Sequence, residues 1–158
     1  MSRKAQDAFA RLSVSQSDPM WLGQPNAWIR DLAPARIGIV GEELALSVIG
    51  GVKAPNNRSG YDIKHEEKLI EVKLSSIIKM NGYPILVWRQ IRPNDPYTHL
   101  CFIAVYPDDV RIFLVPKTEI PTDCMKHQHG REGSLEIFQI HTRKVHELFP
   151  WMVRNEIA

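Results

Sequence analysis

Apolar and polar residues recur along this chain at two different spacings. Between residues 35 and 49 the apolar residues return every three or four positions, which is the spacing of a helix with one buried face. Pro34 suits the first turn of such a helix, and Gly50-Gly51 suits its end. The pattern predicts a helix over residues 35–49.

Four strand-like segments follow this helix. They form two pairs, and a short polar turn separates the two segments of each pair. They predict two antiparallel hairpins. Residues 85–91 fit either a strand or the start of a helix, because periodicity over so few residues does not decide between them. The paired segments are residues 60–64 with 68–74, and residues 99–105 with 110–115.

Both ends of the chain favour helices, one over residues 5–12 and one over residues 142–156 that is broken by Pro150. Residues 55–59 and 93–96, which contain proline and asparagine, are typical of surface loops. A helix, then strands, then a terminal helix predicts the α/β class with a central mixed sheet.

Composition limits the classes of protein to consider. A chain of 158 residues fits one domain spanning residues 1–158, and a hydrophobic share of 44% is that of a folded globular protein. The formal net charge is only +2, so any affinity for nucleic acid must come from local clusters of lysine and arginine.

Cysteine content and hydropathy indicate where the protein works. The two cysteines, Cys101 and Cys124, are too few for a disulfide framework, and the residues after Met1 are polar rather than an apolar signal core. No apolar run approaches the roughly 20 residues needed to cross a bilayer. We expect a cytoplasmic protein with no membrane partner.

Three residues suited to phosphate chemistry lie on the first predicted hairpin. Side chains alternate across a strand, so Glu71 and Lys73 project from one face, and Asp62 on the preceding strand lies within reach of it. The two carboxylates suit Mg²⁺, which can activate water at a substrate phosphate. The ammonium of Lys73 can steady the attacking hydroxide and the charge that develops on the phosphate.

The predicted helix offers a fourth candidate. Glu42 shares a helical line with the apolar residues Ile39 and Ile49, whereas Glu43 shares a polar line with Arg36. An inward carboxylate in an apolar line needs a reason, so we choose Glu42 as a candidate ligand for metal or water.

A simpler interpretation competes with this chemistry. An acid-x-Lys triplet occurs by chance about once in a chain of this length, and facing acids and lysines are typical of a solvated sheet surface. The joint pattern favours the catalytic interpretation: a Gly-Tyr-Asp strand, an apolar strand with Glu-x-Lys, and a preceding helix with an inward glutamate.

These motifs, Gly41-Glu42, Gly60-Tyr61-Asp62 and Glu71-Val72-Lys73, resemble those of the PD-(D/E)xK nuclease superfamily over residues 39–76, about a quarter of the chain. Tyr61 stands where the motif has proline. The resemblance implies a restriction-endonuclease-like core at about residues 35–116, with a mixed sheet flanked by helices. It also implies phosphodiester hydrolysis with Mg²⁺, or Mn²⁺ as a substitute, at Asp62, Glu71, Lys73 and Glu42.

Two further segments carry candidate DNA contacts. Arg89 and Arg92 can hold phosphates, and Gln90 can approach the reaction centre or a base edge. Asn57 and Arg58 lie in a polar loop before the Gly-Tyr-Asp strand. Ordinary exposed side chains explain both segments equally well.

The expected function is a site-specific endonuclease of the type II restriction kind acting on double-stranded DNA. One site cuts one strand, so cutting both strands of a palindrome requires a homo-oligomer, a dimer or higher. Alternatives within the superfamily are a homing endonuclease or a repair or junction nuclease. Outside it, the alternatives are a non-catalytic DNA-binding module, and a zinc-binding adaptor built on Cys124, His127 and His129.

Overall fold

The computed structural model describes residues 18–128, 137–143 and 147–158. Its helices are α1 (Pro34–Ile49) and the short α2 (Pro150–Val153), with 3₁₀ turns at Ala27–Asp31, Lys117–Glu119 and Thr122–Cys124. Its strands are β1 (Val52–Lys53), β2 (Ile63–His65), β3 (Lys68–Ser76), β4 (Ile78–Met80), β5 (Tyr83–Ile85), β6 (Val87–Ile91), β7 (His99–Val105), β8 (Val110–Pro116), β9 (Lys126–His127) and β10 (Phe138–His141).

The central sheet has five strands in the order β1-β2-β3-β7-β8. Two antiparallel hairpins, β2–β3 and β7–β8, are joined side by side where β3 and β7 run parallel, from Ile70 opposite His99 to Ser76 opposite Val105. The protein therefore belongs to the α/β class with a mixed central sheet, as predicted.

The two faces of this sheet are covered differently. Helix α1 packs on one face, and its Gly41 lies so close to β3 that a Cβ there would be 3.3 Å from the Cβ of Leu74. On the other face the fully buried Trp88 and Phe102 meet edge to face at 5.3 Å, and Phe102 meets Trp151 at 5.8 Å. This face is covered by a second sheet in the order β6-β10-β9 together with α2.

Most of the predicted elements are confirmed. The helix at 35–49 and both hairpins are present, and residues 85–91 are strand rather than helix. A third hairpin, β4–β5, turns at Asn81-Gly82 with φ values of 51° and 81°, the left-handed conformation that Asn-Gly favours in two-residue hairpin turns. We did not predict this hairpin.

The predicted C-terminal helix over residues 142–156 is wrong. Thr142 instead pairs with Leu86, because its N–H donates to the Leu86 carbonyl at 3.0 Å and its hydroxyl accepts from the Leu86 N–H at 3.0 Å. Pro150 begins the short α2 rather than breaking a longer helix, in keeping with its preference for the first helical position. The helix predicted over residues 5–12 lies outside the described residues.

The resemblance implies helices on both sides of the sheet. Within the described ranges, a long helix is found on one side only. The long α1 covers one face, and strands with the four-residue α2 cover the other. Among these residues, no helix has both the length and the apolar character to cross a membrane.

Candidate functional site

Asp62 occupies the point where β2 separates from β3. The backbone ladder between these strands begins at Ile63 opposite Ile70, and Asp62 lies just before it. Its carboxylate replaces a backbone acceptor, because Oδ2 of Asp62 accepts a hydrogen bond of 2.7 Å from the N–H of Val72. This bond fixes the side chain at the junction of the two strands.

Glu71 and Lys73 form an ion pair on the same face of β3. The Nζ of Lys73 donates to the Oε1 of Glu71 at 2.6 Å, and both side chains are only 15% exposed. Alternation along β3 brings these two side chains together, since residues two apart share a face. An ion pair this sheltered differs from one on a solvated sheet surface.

Both carboxylates hold their protons more firmly than usual. Burial raises the pKa of Asp62, the Val72 N–H opposes this rise, and the negative charge of Glu42 adds to it. Burial also raises the pKa of Glu71; Lys73 lowers it and the charge of Asp62 raises it. Each carboxylate thus lies in the negative field of another, and a cation placed between them would relieve the repulsion.

Glu42 lies on α1, which packs against the face of β3 opposite the one that carries Glu71 and Lys73. Its side chain is 31% exposed and lies 3.6 Å from the Nζ of Lys53 on β1, whereas Glu43 is exposed on the outer side of the helix. The negative charge of Glu42 contributes to the raised pKa of Asp62. Sequence reasoning did not single out Lys53, because a two-residue strand leaves no periodic signal.

Asp95 is a further acid at the site that sequence reasoning missed. Its negative charge contributes to the raised pKa of Glu71. It also lies against the segment that leads into β2, because a Cβ on Gly60 would be 3.4 Å from the Cβ of Asp95 and 2.5 Å from the Cδ of Pro96. Residues 93–96 indicated only a loop, so the sequence held no signal for this contact.

Tyr97 lies next to this acid. Its ring is 2% exposed, and its buried hydroxyl has no hydrogen-bond partner among the described residues. Burial, Glu71 and Asp95 all raise the pKa of Tyr97, so the hydroxyl stays protonated. The Nζ of Lys117 lies 4.3 Å from the centre of this ring and donates to the Asp95 carbonyl at 2.7 Å.

The donor set fits a hard divalent cation. Asp62 and Glu71 supply carboxylate oxygens, and Mg²⁺ characteristically takes one or two of these from a protein and completes its shell with water and substrate phosphate. In the described part of the chain, no three His, Cys, Asp or Glu side chains form a group ready to hold a metal by themselves.

The candidate DNA contacts lie outside this cluster. Asn57 and Arg58 lie on an exposed turn that leads to Gly60. Arg89 and Gln90 are exposed on β6, and Arg92 is exposed just after it.

Of the candidate zinc ligands, Cys124 and His127 lie in the described part of the chain, where they belong to no group of three possible metal ligands. Cys124 lies in a 3₁₀ turn, and the ring of His127 on β9 packs against Phe138 at 4.6 Å. His129 lies outside the described residues. Cys101 and Cys124 are both free thiols.

Comparison with known proteins gives no independent guide to function: no family model matches this chain, and no curated protein matches it.

Proposed function

We propose that this protein is a Mg²⁺-dependent endonuclease that hydrolyses phosphodiester bonds in double-stranded DNA. The observation that carries the proposal is the Glu71–Lys73 ion pair on β3, sheltered from solvent, with the Asp62 carboxylate anchored to the N–H of Val72, the residue between them in the chain. The resemblance of the surrounding motifs to those of the PD-(D/E)xK nucleases supports the same conclusion.

The burial of these groups argues against an ordinary solvated surface. Taking a carboxylate out of water costs free energy, and the raised pKa values of Asp62 and Glu71 express that cost. Sheltered ion pairs are often no better for stability than apolar side chains of the same size. Groups kept in such a place are therefore candidates for a functional role.

Asp62 and Glu71 would hold the metal ion. Bound Mg²⁺ polarises the phosphate and lowers the pKa of water. The Val72 N–H holds the Asp62 carboxylate in place, so that this ligand needs little reorganisation when the ion binds. Glu42 adds negative potential on the α1 side and so increases the attraction for a cation.

Lys73 would act on the substrate itself. Its ammonium lies 2.6 Å from Glu71 and carries two further N–H donors. These can hydrogen-bond to the attacking oxygen and to a non-bridging phosphate oxygen, whose negative charge grows in the transition state. The ammonium thus stabilises the transition state more than the ground state, which is what accelerates the reaction.

Within this activity we propose a site-specific double-strand cutter of the type II restriction kind that works as a homo-oligomer. One chain provides one candidate centre, and two antiparallel DNA strands call for two centres related by symmetry. Sedimentation with and without duplex DNA measures the oligomeric state. Linear product appearing without a nicked intermediate would agree with a dimer, and nicking alone would point to a junction or repair nuclease.

The proposed activity is tested by incubating supercoiled plasmid with the purified protein in Mg²⁺ or in EDTA. We expect cleavage that needs Mg²⁺ and that is lost in Asp62→Asn, Glu71→Gln and Lys73→Ala. Binding of duplex DNA without metal should survive in the first two variants, because each removes negative charge near the phosphates. Duplex binding without cleavage of plasmid, mismatched or branched DNA would favour a non-catalytic module instead.

A further inference from the structure

Strand β6 contains a β-bulge at Arg89 and Gln90. Between its two paired ends, β6 has these two residues where β10 has only Gln139. A bulge interrupts the alternation of side chains along a strand, and here both residues are exposed between the buried Trp88 and Ile91. Arg89 and Gln90 therefore point outward together.

The bulge is held in one conformation. Gln90 has a φ of 57°, in the left-handed region that residues with a side chain rarely adopt. Its N–H donates to the side-chain oxygen of Gln128 at 2.8 Å. On the other side, the buried ring of Trp88 donates from Nε1 to the carbonyl of Ile103 at 3.0 Å. Unfavourable backbone conformations that the surroundings maintain are concentrated at functional sites.

The bulge lies on a segment fastened beside the proposed active site at both of its ends. At the start of β6 the Val87 N–H donates to the Oγ of Ser75 at 2.8 Å, and Ser75 shares the β3 face that carries Lys73. At the far end, Pro96 lies against Gly60, two residues before Asp62. The exposed side chains of Arg89 and Gln90 belong to the stretch of chain between these two attachments.

We propose that duplex DNA bound at the site passes over Arg89 and Gln90, and that these two side chains read base identity in its major groove. A guanidinium can donate two hydrogen bonds to O6 and N7 of guanine, and a carboxamide can bond to N6 and N7 of adenine. Two such groups held side by side would select a guanine and an adenine close together. The inference rests on the proposed function, since it assumes that duplex DNA occupies the site.

Two variants separate base reading from charge and from folding. Arg89→Lys keeps the positive charge for phosphate contacts but loses the fork that bonds to guanine at two points. Gln90→Gly removes the carboxamide but keeps the N–H to Gln128 and accepts the positive φ. Arg36→Lys makes the same exchange at an exposed position on α1, across the central sheet, and serves as the control.

The experiment has two steps. Sequences that the protein binds are first selected from a random duplex library in EDTA, and the ends of DNA cleaved in Mg²⁺ are then mapped. The original protein should enrich a motif with guanine and adenine. Arg89→Lys should weaken the preference for guanine, and Gln90→Gly that for adenine, each by about ten- to a hundredfold, with unchanged affinity for the unselected library. The control should keep the motif.

Three results would overturn the inference. An enriched motif that both variants retain would place base reading elsewhere. Equal weakening on all sequences with an unchanged motif would reduce the pair to phosphate or structural contacts. No enrichment by the original protein would exclude base reading altogether; if Lys73-dependent cleavage in Mg²⁺ is still observed, the proposed nuclease stands as a non-specific one.

Discussion

Replacing Asp62 by asparagine or by alanine should separate the effect of its hydrogen bond on stability from the effect of its charge. In Asp62→Asn the carboxamide oxygen can still accept the 2.7 Å hydrogen bond that the Val72 N–H donates to Asp62. The alanine variant has no such acceptor. Since Val72 is only 9% exposed, Asp62→Ala leaves a sheltered N–H without a partner, which costs about 1–3 kcal/mol.

The hydrogen bond to Asp62 stabilises the folded protein, whereas the negative charge of Asp62 destabilises it. Burial raises its pKa in the folded protein above the unfolded value, so the native state favours the protonated form. Its stabilising contribution is complete below the unfolded pKa and is lost as the pH rises through the folded pKa. Asp62→Asn has no such loss, so we expect it to be at least as stable as the original protein at pH 8 and to approach it in stability near pH 4.

Urea unfolding followed by tryptophan fluorescence, with thermal melts at pH 8 and pH 4, measures both effects. For a domain of this size each kcal/mol corresponds to about 2–4 °C in Tm, so Asp62→Ala should melt several degrees below Asp62→Asn. Both variants should lack cleavage. Equal stability of the two variants would show that the Asp62 oxygen does not hold the Val72 N–H, and the reasoning would fail there.

Three other perturbations test the surroundings of the site. Because the pKa values of Asp62 and Glu71 are raised, cleavage should decline on acidification at a higher pH than it would with ordinary carboxylates, whose pKa is about 4. More Mg²⁺ should move that decline to lower pH, because the metal competes with protons for the carboxylates. A decline at the same pH for every Mg²⁺ concentration would contradict this. Gly60→Ala should lower both stability and cleavage, because the new Cβ would be 2.5 Å from the Cδ of Pro96. The control Gly23→Ala, with a similar φ of 70° and no atom within 4 Å of the new Cβ, should lose only the small stability that its positive φ costs. Equal melting temperatures of the two variants would show that the Pro96 contact plays no part. Glu42→Gln should raise the Mg²⁺ concentration needed for half-maximal cleavage by several-fold, because it removes negative charge that attracts the cation, and the exposed Glu43→Gln should leave it unchanged; an equal effect of both variants in a titration of cleavage against Mg²⁺ would contradict this.

The sequence predicted the elements that carry the chemistry better than it predicted their neighbours. Helix α1 and strand β3 are long enough for periodicity to identify them, and alternation along β3 suffices to put Glu71 beside Lys73. The hydrogen bond from Val72 to Asp62 was beyond such reasoning, because it depends on where β2 leaves the ladder.

Contacts between distant segments account for most of what was missed. Asp95 reaches Glu71 only because residues 95–98 lead into β7, which pairs in parallel with β3. No local pattern indicates such pairing. The wrong C-terminal helix has the same origin, since tertiary pairing of Thr142 with Leu86 outweighs the helical preference of that segment.

The parallel seam between β3 and β7 also sets an order for folding. The β2–β3 and β7–β8 hairpins connect residues that are near in sequence, so each can form quickly on its own. Joining Ile70 to His99 closes a much longer loop and must wait for both hairpins. Asp62, Glu71 and Lys73 all belong to the first hairpin, while Asp95 and Tyr97 arrive only with the second. The chain would thus bring Asp62 and Glu71 together early and shelter them from water late.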